Sequence, residues 1–327
     1  MPVGIEIVSP ATCTALSIDA AGPAMPHIHV KARLTGVFPD PTATMTFRWT
    51  AQVRFDSVNC PHGGTAAHSM KSESELLTGT SVGGEFDLAF TTVCGGDLVV
   101  EVSADVAGRT LTGKTQQVRM QGANPSNDQI KQAIAEPVIG RIIRHESAIR
   151  QFVPTQAQEG ALFPLFSQDN LLGVGLGQIT PCTVPSIWNW RKNIEATNAK
   201  FKDGRRVANG LAARCRNHPN FKRLVKKWND ERVAAHLPPL PVTLPDLTPD
   251  QIERDAVRCY NGASGTDHLL GAAMHEYRVV LIDQNNLAIQ VDPGGTTASA
   301  RWEVPPTSER TSGDPNYVNN VYNEAEL

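Results

Sequence analysis

Three short stretches of the chain carry side chains that could do chemistry. In PVIGRIIRHESAIRQF, Glu146 falls on the same narrow helical face as Ile139, Ile142 and Ile143. A carboxylate in line with an apolar stripe loses hydration in its charged form, which suits a general acid working near neutral pH. On this helix alone the plainer reading is favoured: a glutamate at the stripe's end that reaches solvent or pairs with Arg150 one turn on. In LLGVGLGQITP, Gly173, Gly175 and Gly177 alternate ahead of Gln178, Ile179, Thr180 and Pro181. Glycines at this density let a ligand approach the backbone, so an extended sugar chain could bond to main-chain groups and to the Gln178 amide. In RCYNGASG, Tyr260 and Asn261 stand at a helix C-terminus, with Gly262 able to take a left-handed cap. A tyrosine there usually packs in a core, and can instead turn its hydroxyl into a cleft.

Helices must position these groups, and the sequence marks where they begin. Ser126 with Gln129 fits a capping box at the end of a linker, GANPSNDQ, over 122–129. Pro137 opens a fresh helical segment or kinks the one begun near 127. Thr248, Pro249 and Gln251 mark a second start, preceded by the proline-rich loop HLPPLPVTLPDL. Residues 126–280 therefore read as mainly α. Residues 1–121 read as β, because Ile28, Val30, Ala32 and Leu34 alternate with polar partners. Met45, Phe47, Trp49, Ala51, Val53 and Phe55 do the same, as do Leu98, Val100, Val102, Ala104 and Val106. That pattern predicts a half-buried antiparallel β-sandwich. GGDLVVEVSADVAGRTLTG resembles the last hairpin of an immunoglobulin-like module, although the antibody-type Cys–Trp–Cys spacing is missing. Residues 281–327 hold short strand-like pieces, then a polar stretch, PPTSERTSGDPNYVNNVYNEAEL, predicted to be a poorly ordered tail.

In order along the chain, the three chemical stretches resemble the soluble lytic transglycosylase and goose-type lysozyme superfamily. That family carries Glu-Ser at a helix end, then Gly-Leu-Met-Gln-Ile-x-Pro, then Ala-Tyr-Asn-x-Gly. The matching residues here are Glu146-Ser147, Gly175 to Pro181, and Cys259 to Ala263. The resemblance spans about residues 126–265. Gly177 replaces the usual methionine, Cys259 an alanine, and Ala263 stands where a second glycine is frequent. Asp169, six residues before Gly175, looks like an acidic position of goose-type lysozymes that places water. Asn193, in IWNWRKNI, matches a segment of structural role. The resemblance implies a lysozyme-like domain after the sandwich, cleaving the β-1,4 bond from N-acetylmuramic acid to N-acetylglucosamine with Glu146 as catalytic acid. Ser147, Asp169, Gly175, Gln178, Ile179, Tyr260 and Asn261 would contact substrate. No metal or organic cofactor is implied. The rivals are a true lysozyme using Asp169 and a non-catalytic wall-binding protein.

Bulk properties bound these readings. At 327 residues, 40% hydrophobic and 19% charged, the chain suits a two-domain globular protein. It holds no run of about 20 apolar residues such as a membrane crossing needs. The N-terminus shows neither a basic n-region nor an apolar h-region. The expectation is a protein with no membrane anchor that reaches the periplasm through a dedicated machine. A type VI secretion system would supply a spike-protein partner and an immunity protein; a phage-like particle is the other route. Lys and Arg number 8 against 11 Asp and Glu over 1–125, 20 against 15 over 126–280, and 2 against 7 thereafter. The basic middle suits an anionic polymer, yet no nucleic-acid motif accompanies it. No CxxC pair occurs among the six cysteines, and neither Cys60, His62 and His68 nor His27 and His29 have convincing ligand spacing. Cys60 with Cys94 is the expected disulfide if the protein works outside the cytoplasm.

Overall fold

The computed structural model describes residues 3–36, 42–65, 67–155, 158–168, 172–261, 275–283, 285–310 and 313–327. The chain is mixed α/β with a β-rich N-terminal region. It divides into two compact units, Met1–Ala196 with Leu327, and Thr197–Glu326. Among the described residues no helix is long and apolar enough to cross a membrane.

The first unit opens with β1 (Gly4–Ser9), β2 (Ala15–Ser17), β3 (Ile28–Thr35) and β4 (Thr46–Asp56). A short hairpin of β5 (Gly64–Thr65) and β6 (His68–Ser69) follows. Then come β7 (Lys71–Glu73), β8 (Leu77–Val82), β9 (Glu85–Leu88), β10 (Gly96–Val106), β11 (Arg109–Lys114) and β12 (Arg119–Gln121). One sheet runs β1-β3-β9; the larger runs β2-β12-β10-β4-β7, with β11 also on β10 and β8 also on β4. The predicted alternation is the cause of both sheets: β3, β4 and β10 bury every second residue, and those residues share one core. The predicted hairpin is β10–β11. Val106 pairs with Arg109 across Ala107 (φ 46°) and Gly108 (φ 76°), two left-handed residues that match the strands' twist.

Two expectations are corrected here. The sheets are not wholly antiparallel: the chain leaves β1, crosses to the edge of the larger sheet, and β2 runs parallel to β12. Cys60 and Cys94 are both buried free thiols, not a disulfide. The Cys94 Sγ lies 3.4 Å from Ser72 Oγ of β7 and 3.4 Å from the Gly95 carbonyl oxygen, so it is turned to polar neighbours.

The predicted linker is built into this unit. Gly122 N donates to Leu162 O at 3.0 Å, and Asn124 Oδ1 accepts from Gln151 N and Phe152 N, both at 2.8 Å. Ser126 and Gln129 form the expected capping box on α1 (Asn127–Ala133), and Pro137 is the first residue of α2 (Pro137–Ser147). The hairpin β13 (Phe152–Thr155) and β14 (Gln158–Pro164), then α3 (Val184–Trp188), complete the unit, which ends inside α4 (Trp190–Asn209). Trp188 explains why the division falls there. Its ring meets Phe55 edge-on at 5.1 Å and lies 5.8 Å from both Phe152 and Phe163, inside the β core. A Cβ on Gly95 would stand 2.2 Å from that ring, so only glycine allows the approach.

In the second unit, α5 (Leu211–Asn217) and α6 (Pro219–Ala234) precede β15 (Val242–Thr243) and α7 (Pro249–Tyr260). Thr248 and Gln251 cap α7 as predicted, with Pro249 at its first position. Strands β16 (Arg278–Val279), β17 (Leu281–Asp283), β18 (Asn286–Leu287), β19 (Ile289–Val291), β20 (Ala298–Ala300) and β21 (Trp302–Glu303) follow. Phe221, Leu224, Leu247 and Tyr277 share a second core with Val279 and Leu287. The tail predicted to lack order instead ends in α8 (Tyr317–Asn323). Tyr317, Val318 and Val321 form one buried face, and Tyr322 Oη donates to Glu253 at 2.6 Å. Overall polarity concealed a short amphipathic helix.

Candidate functional site

Glu146 lies at the end of α2, half-buried, on the face made by Ile139, Ile142 and Ile143. Those isoleucines are essentially inaccessible, and each contributes about 2 kcal/mol of burial. Ser147 follows and is itself buried. Its hydroxyl donates to the Ile143 carbonyl at 2.9 Å and accepts from Arg150 N at 3.3 Å, so it closes the helix end. The chain then reverses through Ala148 (φ 49°) and Ile149 (φ 66°). A β-branched residue in the left-handed region costs on the order of 1–3 kcal/mol and persists where surrounding structure imposes it.

The reversal delivers Gln151, which is fully buried, into the glycine-rich loop. Its Nε2 donates to Ser186 O at 3.1 Å and Ile187 O at 3.0 Å, while its Oε1 accepts from Leu176 N at 3.1 Å. Gly175 (φ 70°) is where this amide passes: a Cβ there would lie 2.2 Å from Gln151 Oε1. The group that needs the missing Cβ at Gly175 is thus an internal glutamine. Asn193, also fully buried, closes the far side. Its Oδ1 accepts from Gly177 N at 2.9 Å and its Nδ2 donates to Val174 O at 2.7 Å. Gly175 and Ile179 face inward. Gln178 (φ 45°) is half-buried, with Nε2 donating to Gly175 O at 2.9 Å.

Tyr260 and Asn261 belong to the second unit. Tyr260 is 1% exposed, with Lys200 Nζ 4.2 Å above its ring. Asn261 Nδ2 donates to Asp314 O at 3.3 Å, as does the buried Arg258 at 2.5 Å. Beside them Glu276 is fully buried, 3.1 Å from Arg310 Nη1 and 3.8 Å from Arg254 Nη2. Burial pushes the Glu276 carboxyl above its ordinary range. Burial, and then the charge of Arg310, pushes the Arg258 guanidinium below its own.

Neither the known protein-family models nor the curated proteins match this chain. Glu146, Ser147, Gly175, Gln178 and Ile179 all lie in the first unit; Tyr260 and Asn261 lie in the second. Asp169 and Gly262 lie outside the described residues. Gln151 was missed by sequence reasoning. Its signal, an uncharged polar residue between Ile149 and Phe152 just after a helix end, is too common to single out.

Proposed function

We propose that the chain cleaves peptidoglycan as a lytic transglycosylase, with Glu146 as its catalytic acid. One observation carries this reading: the helix end bearing Glu146 turns at the Ser147–Arg150 bond directly into Gln151, whose Oε1 accepts from Leu176 N of the Gly175–Ile179 loop. Gln151, four residues beyond Ser147, thereby bonds the second motif at Leu176 N. The strained reversal immediately after Glu146-Ser147 supports the same reading, since such backbone strain concentrates at functional sites.

In this reaction Glu146 protonates the glycosidic oxygen as the bond to the muramic acid C1 breaks. The resulting carboxylate takes the proton from that sugar's C6 hydroxyl, O6 closes onto C1, and the 1,6-anhydro sugar leaves without consuming water. A single essential carboxylate suffices, unlike the pair of most glycosidases. Gln178, half open to solvent in the loop, is the group suited to bind an N-acetyl substituent. The resemblance adds Tyr260 and Asn261 as substrate contacts; both belong to the second unit, where Tyr260 is 1% exposed. The fold that goes with it is an immunoglobulin-like sandwich of the two N-terminal sheets serving as adaptor, and a lysozyme-like α region. Action in the periplasm after machine-driven export, with a spike protein and an immunity protein as partners, belongs to the same proposal.

The test is digestion of purified sacculi by wild type and Glu146→Gln, with products read by mass spectrometry. Anhydro-muropeptides are expected from wild type, falling by about 10²- to 10⁴-fold in the variant at unchanged circular dichroism. Reducing ends instead would make the enzyme a hydrolase. An inert wild type would leave a wall-binding protein.

A further inference from the structure

The end of α7 carries a constellation that the proposed reaction does not use. Asp255 and Cys259 stand four residues apart, on one face of that helix. His275 reaches them from farther along the chain. One donor atom from each of the carboxylate, thiol and imidazole lies within 4.8 Å of the others. Asp255 and His275 are buried and Cys259 is half-buried. The two oxygens of Asp255 are used differently. Oδ1 accepts from Glu276 N at 2.6 Å, which fixes the carboxylate, while Oδ2 meets His275 Nδ1 at 2.8 Å. On the other side of the ring, Arg214 Nη2 is 3.2 Å from His275 Nε2. A guanidinium only donates, so Nε2 accepts and the ring proton sits on Nδ1.

We propose that Asp255 Oδ2, Cys259 Sγ and His275 Nδ1 bind a divalent transition-metal cation of the zinc class, with water as a fourth ligand. Carboxylate, thiolate and imidazole are the donors such ions take, whereas calcium and magnesium prefer oxygen alone. Metal–ligand bonds of about 2.0–2.3 Å set neighbouring donors roughly 3.3–3.8 Å apart, so the Asp255–His275 contact opens by about half an ångström. The two anionic ligands balance the ion's charge. The protons balance too: Cys259 releases one to solvent, and the Nδ1 proton passes to Nε2. Once protonated, Nε2 no longer accepts from Arg214. The same Nη2 also donates to Val207 O at 2.9 Å, so the exposed side chain must rotate off the ring as the metal binds and acts as the metal's competitor.

A thiol nucleophile is the rival use of the same three groups. It fails on geometry, because one ring nitrogen of His275 faces Asp255 and the other faces Arg214, leaving neither to take the Cys259 proton. The bound ion would be structural, pinning the helix end from which Tyr260 and Asn261 extend.

The experiment is titration of the full chain with cobalt(II), followed by equilibrium dialysis with zinc. Wild type should take up one ion with a thiolate-to-cobalt charge-transfer band and a raised melting temperature. Cys259→Ala should lose the band and bind about 100-fold more weakly, and His275→Gln should weaken binding similarly. Arg214→Ala, at the surface, should bind more tightly, which keeps the test alive if a buried variant misfolds. A band absent from wild type, or one that survives in Cys259→Ala through another thiol, overturns the proposal.

Discussion

The glycine-rich loop of the first unit and the α7 end of the second face the same task, holding buried backbone in one shape, and they solve it with different chemistry. Around the loop the partners are neutral amides: Gln151 and Asn193 meet main-chain N–H and C=O groups of Val174, Leu176, Gly177, Ser186 and Ile187. Around α7 the partners are ionisable: Glu276 with Arg310 and Arg254, Asp255 with His275, and Arg258 on Asp314 O. Amide bonds of this kind are indifferent to pH and need only matching donors and acceptors. A buried ionic network is costlier to assemble and more damaging to break. The first suits a loop that must keep its shape under any condition; the second suits an end whose order can be set by protons or by a cation.

The largest test of this contrast is Arg310→Met. It leaves Glu276 buried without its closest cation, and should destabilise the second unit by about 3–5 kcal/mol in chemical denaturation. Partial recovery is expected in the double variant with Glu276→Gln, because Arg310 also donates to Pro305 O and Pro315 O; the recovered part measures the stranded charge. Next is Asn193→Leu, with the same heavy-atom branching, which leaves Gly177 N and Val174 O without their amide. A loss of about 1–3 kcal/mol is expected, equal at pH 5 and pH 8. A pH-dependent loss there would break the comparison.

The smallest effect is the pH dependence itself, and it has opposite signs in the two units. In the first, burial works against ionisation of Glu75, but the Thr91 N–H, with further bonds from Thr92 N and the Thr91 hydroxyl, overrides it and holds the carboxyl down to about 2. Its stabilisation is present above the ordinary 4.5 and is lost as pH falls through about 2. Glu276 is raised, so its contribution is full below 4.5 and is lost as pH rises through its folded value. Acidification from neutral pH down to 4.5 should therefore relieve the second unit at Glu276, and acidification below 4.5 should weaken the first at Glu75. Glu75→Gln below 4.5 and Glu276→Gln above it, each compared with wild type by thermal melts, should flatten slopes of opposite sign.

Local chemistry was legible in the sequence wherever neighbours along the chain decide the structure. Both capping boxes, Pro137 at the start of α2, the alternation of β3, β4 and β10, and the Ala107-Gly108 turn all depend on contacts within a few residues. What was hidden depends on distant partners. Nothing near Gly175 in sequence announces that Gln151 will fill its missing Cβ, and nothing near Trp188 announces Phe55 or Gly95. For that reason the stretch 122–129 lies inside the first compact unit, which runs to Ala196. The free thiols of Cys60 and Cys94 follow likewise from side-chain direction, which spacing does not encode. Glu146 was placed on its helical face by period alone, but the assembly that joins it to the loop was not visible.

Trp188 in the β core bears on how the molecule can be taken apart. The segment with the glycine-rich loop is not a portable module. Excised at residue 122, it would expose the faces of Trp188, Phe152 and Phe163 that Phe55 and Gly95 cover, and Trp190 would lose the Ala20 carbonyl that its Nε1 meets from 170 residues away. Contacts that far apart in sequence form late, after a large loop-closure cost. The N-terminal strands then act as the template on which the loop is cast, and a shortened chain should collect in inclusion bodies rather than fold.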